Sequence, residues 1–169
     1  MSPILTPLVQ RILKKRGIRS SDELNFSLSD LLPISSLKNI HQAAELLSTS
    51  IQEQQSIVII GDFDTDGATA TALAYKALRL MGAKHVNYAV PDRFKFGYGL
   101  SPEIVRATQQ YQPDLIITVD NGISSIAGVA EANKLGINVL ITDHHLAGDE
   151  LPDAKVIINP NQKEDGFES

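Results

Sequence analysis

Acidic and imidazole side chains gather at the ends of three short apolar runs. Ile57–Ile60 leads into Gly61-Asp62-Phe63-Asp64-Thr65-Asp66-Gly67, Leu115–Val119 into Asp120-Asn121-Gly122, and Val139–Thr142 into Asp143-His144-His145. If the runs are parallel strands, these residues share the carboxyl edge of one sheet, where open α/β folds bind their ligands. Five aspartates and two histidines then crowd a single crevice. Carboxylates brought that close raise one another's pKa unless a cation intervenes. Oxygen and imidazole donors without thiolates favour Mn²⁺ or Mg²⁺. One or two such ions are the chemistry that these residue types and spacings predict.

Each piece taken singly has a plainer explanation. An aspartate after a strand often caps the following helix, and Asp66 before Gly67 or Asp143 before the histidines would serve as a cap or turn former. A histidine pair in a loop is commonly exposed or hydrogen-bonded. The metal reading outweighs these because three separate strand ends carry the same chemistry.

The elements that must position these groups follow from periodicity. The runs 57–60, 86–90, 115–119, 139–142 and 156–158 are short and rich in β-branched residues, as strands buried on both faces require. Helical stretches are expected near 67–81, 102–110 and 124–135, with Gly82 and Gly136 as stops. Alternating strands and helices predict an α/β fold, a parallel sheet flanked by helices. Residues 1–55 read as a helical N-terminal segment. Leu5, Leu8, Val9 and Ile12 recur at helical spacing before Gly17, Asp22-Glu23-Leu24 marks a short turn, and Leu37, Ile40, Ala44, Leu47 and Ile51 mark a longer amphipathic helix. The expected organisation is a helical segment over 1–55 and an α/β lobe over 56–169.

Composition excludes several classes. The chain has 169 residues, 43% hydrophobic and 21% charged, values that support a core. Its formal net charge of −5 argues against a protein that coats DNA through bulk positive charge. With no cysteine, disulfides, thiolate zinc sites and a cysteine nucleophile are out. No apolar run is long enough to span a membrane and no signal-peptide pattern opens the chain, so the expected setting is cytoplasmic.

Competing motifs fail on their own requirements. Asp62-x-Asp64-x-Asp66-Gly67 copies the start of an EF-hand loop, but the twelfth position is Leu73 and a strand precedes it. Gly97-Tyr98-Gly99 opens like a dinucleotide fingerprint, yet Pro102 takes the third glycine's place. A P-loop is absent, and no nucleophile elbow surrounds Ser124-Ser125, which read as a helix N-terminus.

The segments Gly61–Ala68, Pro91-Asp92-Arg93-Phe94 through Gly97–Ser101, Thr118–Ser125 and Thr142–His145, in this order and spacing, resemble the DHH phosphoesterase superfamily. Within it they are most similar to the RecJ family of single-stranded-DNA-specific exonucleases. The resemblance runs from the Leu5 helix to Asn159-Pro160-Asn161. It implies 5′→3′ hydrolysis of single-stranded DNA to mononucleotides in recombination and repair, dependent on Mn²⁺ or Mg²⁺, with two ions in the complete enzyme.

By position in those motifs, Asp64, Asp66, Asp120 and His144 would be metal ligands, and Asp62 and His145 would complete the site. Asp143 would orient its neighbouring histidine, and the Arg93 guanidinium would hold a phosphate. A shared carboxylate such as Asp120 would set the spacing of two ions, which in two-metal sites is about 3.5–4 Å.

The family also implies a further ligand aspartate, a second lobe and a nucleic-acid-binding domain beyond Ser169, so the expectation is a truncated DHH-type lobe. Single-stranded DNA is the expected partner, with single-stranded-DNA-binding protein as a second. The alternatives are a phosphodiesterase on oligonucleotides or cyclic dinucleotides, an inorganic pyrophosphatase, and an inert truncated product.

Overall fold

The computed structural model describes residues 5–20, 22–24, 27, 29, 31–92, 97–163, 165 and 167. Five short strands, β1 (Ile57–Ile60), β2 (Val86–Ala89), β3 (Leu115–Val119), β4 (Asn138–Thr142) and β5 (Val156–Ile158), form one parallel sheet in the order β2-β1-β3-β4-β5. The predicted α/β class and parallel sheet are therefore present. Side chains alternate faces along a strand, and the core divides accordingly. Val58, Ile60, Ile116, Val139 and Ile141 pack on one face. Ile57, Ile59, Leu115, Ile117, Val119 and Leu140 pack on the other.

Helices cover both faces. On the second face lie α2 (Ile40–Gln52) and α3 (Thr65–Leu80). On the first lie α4 (Pro102–Thr108) and α5 (Ile126–Lys134), through Ile104, Val105, Val129 and Ala132. Gly82 and Gly136 end α3 and α5 at φ +100° and +74°, where a Cβ would be strained.

Three local expectations shift. β2 is an edge strand rather than one buried on both faces, and Tyr88 is 57% exposed with Tyr75 packed edge-on against its ring. The buried stripe of α2 runs through Ala43, Leu46, Leu47, Ser50 and Ile51, while Ala44 is exposed. Helix α3 opens at Thr65, two residues before Gly67, because Asp64 caps it by accepting from the Gly67 N–H at 3.1 Å.

The chain divides into compact units 1–33 and 34–169. In the first, α1 (Pro7–Lys15) begins at Thr6, whose hydroxyl accepts from Val9 N, and ends before Gly17. A short turn follows at Asp22–Leu24, where Glu23 accepts from the Arg19 and Ser20 N–H groups. In the second, α2 packs with the sheet, and Asn39 at its start donates to the Ile157 carbonyl at 3.0 Å. Among the described residues no helix is long and apolar enough to cross a membrane.

Candidate metal centre

Parallel pairing brings the ends of β1, β3 and β4 to one edge, in register through Ile60↔Thr118 and Val119↔Thr142. The groups that follow converge there. Ligand atoms of Asp62, Asp64 and Asp120 lie within 4.8 Å of one another, as do those of Asp120, His144 and His145. Asp120 belongs to both groups. Asp66 stands slightly apart, its carboxylate 4.0 Å from His144 Nε2.

Asp120 is the last residue before the turn out of β3 and takes a left-handed conformation, φ +61°. That conformation costs a residue with a Cβ about 1 kcal/mol or more. Gly122, at φ +116°, completes the turn, and Asn121 ties it down by donating to the Ile60 and Val119 carbonyls. The Asp120 carboxylate is buried. One oxygen lies 2.9 Å from His144 Nε2, and the other has no hydrogen-bond partner among the described residues. Burial raises its pKa first, and the nearby charges of Asp66 and Asp64 raise it further. A buried acceptor left alone costs about 1–3 kcal/mol. This orphaned oxygen among other anionic donors fits a divalent cation.

Asp143 is used differently. One oxygen accepts from the Ile123 N–H at 2.9 Å, and the other from the His144 and His145 N–H groups at 2.7 and 3.1 Å. That second oxygen also lies 2.7 Å from His145 Nδ1, and this bond raises the His145 pKa. The carboxylate thus binds the turn that carries both imidazoles. Asp62 is buried and accepts from the Phe63 N–H at 2.7 Å. Asp64 combines the cap of α3 with membership of a donor group. Asp66, on the first turn of α3, is exposed, and its hydrogen bond with Asp64 is the largest influence holding its pKa low.

The sheet edge therefore brings together Asp62, Asp64, Asp120, His144 and His145, with Asp66 beside His144 and Asp143 beneath the histidines. Arg93 lies outside the described residues.

Reasoning from sequence missed four groups in the same crevice. Tyr98 donates its hydroxyl to the Asp120 carbonyl at 3.1 Å, and burial with the surrounding carboxylates raises its pKa. Asn121 braces the β3 turn. Asn159, fully buried, donates to the His145 carbonyl at 2.9 Å, and Asn161 donates to the His144 carbonyl. For Tyr98 a signal existed: two flanking glycines mark a sharp turn that presents one aromatic. Ser125 stands at the N-terminus of α5, as expected, but its hydroxyl makes no capping bond and accepts from Leu100 N at 3.1 Å.

The chain is similar in sequence and fold to known proteins. The chain is 50% identical over 165 residues to the single-stranded-DNA-specific exonuclease RecJ of Salmonella typhimurium, a match that covers 98% of this chain and 29% of that protein. A crystal structure of exonuclease RecJ bound to manganese superposes with a TM-score of 0.71 at 35% identity, covering 80% of this chain and 34% of the other. RecJ of Thermus thermophilus in complex with Mn²⁺ superposes with a TM-score of 0.69 at 31% identity, covering 92% and 22%. The chain thus spans less than a third of the length of the Salmonella relative. Residues 56–169 match the DHH family, N-terminal domain, and the chain belongs to that family.

Proposed function

We propose that this chain supplies the metal centre of a single-stranded-DNA-specific exonuclease that hydrolyses phosphodiesters from the 5′ end and releases mononucleotides, in recombination and repair. The observation that carries the reading is Asp120: it is shared by both donor groups and keeps a buried carboxylate oxygen without a hydrogen-bond partner among the described residues. Asp64, Asp66, Asp120 and His144 hold the ions on this reading, and Asp62 and His145 complete the donor set. When bound there, Mn²⁺ or Mg²⁺ supplies Lewis-acid stabilisation of phosphoryl charge and lowers the pKa of an attacking water.

The protein's own residues prepare that chemistry. Asp143 holds the turn that carries both histidines by accepting from their backbone N–H groups, and restrains the His145 ring through its Nδ1. Asp120, strained at φ +61°, faces both donor groups from the centre of the crevice. Arg93 holds a substrate phosphate. Water is the nucleophile, so no serine or cysteine is needed. The resemblance and the 50% identical relative support single-stranded DNA as substrate. They also support a cytoplasmic setting, and the family's habits make single-stranded-DNA-binding protein the expected partner.

The test uses the purified chain, Mn²⁺ and 3′-labelled single-stranded DNA, with Asp120→Ala and His41→Ala beside it. His41 lies on α2, outside both donor groups. Mn²⁺ at about 100 times its Kd raises stability by about 2.7 kcal/mol. That rise should vanish in Asp120→Ala and persist in His41→Ala. Shortening from the 5′ end by the wild type and His41→Ala, and not by Asp120→Ala, supports the full reading. A preference for dinucleotides over long strands would replace it with a small-oligonucleotide phosphodiesterase. A wild type without any Mn²⁺-dependent rise overturns the metal centre.

A further inference from the structure

Tyr98 lies in the same crevice and has no part in the reading above. Its hydroxyl donates to the Asp120 backbone carbonyl at 3.1 Å and lies 3.4 Å from both ring nitrogens of His145. Its ring meets the His145 ring edge-on, with centroids 5.9 Å apart and planes at 78°. One side chain therefore touches the residue common to both donor groups and a histidine from one of them. The Asp120 contact is to the backbone, at the left-handed position of the β3 turn. A residue with a Cβ holds that conformation only where its surroundings enforce it.

The segment that carries Tyr98 is itself fixed. Gly97 and Gly99 take φ +78° and +73°, and a Cβ on Gly99 would come within 3.0 Å of Ser125 Oγ. Ser125 Oγ in turn accepts from Leu100 N. Leu100 is 2% exposed, and its carbonyl lies so close to Gly128 of α5 that a Cβ there would approach it to 1.9 Å. The turn thus hangs from α5 and aims the phenol at the end of β3.

We propose that Tyr98 is a positioning residue of the metal centre: its hydroxyl holds the Asp120 carbonyl, and with it the left-handed backbone that aims the carboxylate between the two donor groups, while its ring edge restrains His145. The proposal rests on the metal-centre reading. Tyr98 acts through Asp120 and His145 and needs no contact with the reacting atoms. Phenylalanine keeps the ring contact and loses the hydroxyl. Leucine loses both.

The experiment compares the wild-type chain with Tyr98→Phe and Tyr98→Leu. Mn²⁺ binding is followed by the electron paramagnetic resonance of free Mn²⁺. In metal-free protein, the ¹H–¹⁵N shift of the Asn121 amide is read, because that N–H belongs to the peptide whose carbonyl the hydroxyl holds. Tyr98→Phe should weaken Mn²⁺ binding about fivefold, the effect of one net hydrogen bond. The Asn121 amide should shift, and Tm without metal should change little. Tyr98→Leu should weaken binding further. Wild-type affinity in Tyr98→Phe, or an unmoved Asn121 amide, overturns the proposal. A wild-type chain that takes up no Mn²⁺ overturns the metal-centre reading and this proposal together, which sets that failure apart from a Tyr98→Phe variant that binds like the wild type.

Discussion

His145 is where pH should first be felt. Its bond to Asp143, the largest influence, holds its pKa above the ordinary imidazole value of about 6.5. A raised folded-state pKa gives stability that is fully present below about pH 6.5 and lost as pH rises through the folded value. The metal-free chain in EDTA should therefore lose Tm between mildly acidic and mildly alkaline pH, and His145→Gln should flatten that slope. Asp66 and Glu103, with pKa values held low, titrate below this window. Thermal melts across that range settle the point, since an equal slope in wild type and variant would remove His145 as its source. The acids and histidines were legible in the sequence because strand ends are readable and parallel pairing then places them. Their division of labour was not. Whether an aspartate caps, braces or stays unsatisfied depends on backbone donors from distant segments, such as the Ile123 N–H that Asp143 accepts.

At the scale of elements, the turn from β1 to α3 is a tight joint beneath the site. Gly67 sits inside α3, where alanine would ordinarily favour the helix by about 1 kcal/mol. A Cβ there would lie 2.5 Å from Asp62 Cβ and 2.8 Å from Asp62 Cα. No rotamer relieves a clash with backbone, so Gly67→Ala should cost a net of about 1–3 kcal/mol. It should also displace Asp62 and weaken Mn²⁺ uptake. A Tm equal to or above that of the wild type would show that α3 shifts freely against β1. The strands themselves were readable to within a residue, because burial on both faces demands continuous β-branched runs such as Ile57–Ile60 and Leu115–Val119. The irregular segments were not. Asn159 and Asn161, which hold the carbonyls of the histidine turn, follow β5 and meet that turn only once β4 and β5 pair.

At the scale of the whole molecule, charge opposes the substrate that the site is proposed to cleave. The chain carries a net charge of −5, with nine basic and fifteen acidic residues beyond position 55, and five of those acids lie at one sheet edge. Screening at physiological salt reaches about 8 Å, so a polyanion at contact still feels this repulsion. Divalent cations that fill the crevice reverse its local sign. Single-stranded DNA should therefore bind in Mn²⁺ and not in EDTA, and Asp120→Ala should remove the Mn²⁺-dependent part. Arg11, Lys14, Lys15, Arg16 and Arg19 are the opposing consideration, a basic run in an otherwise acidic chain. Binding through those five would persist in EDTA and ignore Asp120. Its log–log salt slope would be about −3.5, the value for five phosphates on a single strand. Anisotropy of a labelled oligothymidylate, measured with Mn²⁺ and with EDTA across a salt series, separates the two. Strong EDTA-resistant binding with that slope would move the DNA contact from the sheet edge to the basic run of residues 11–19.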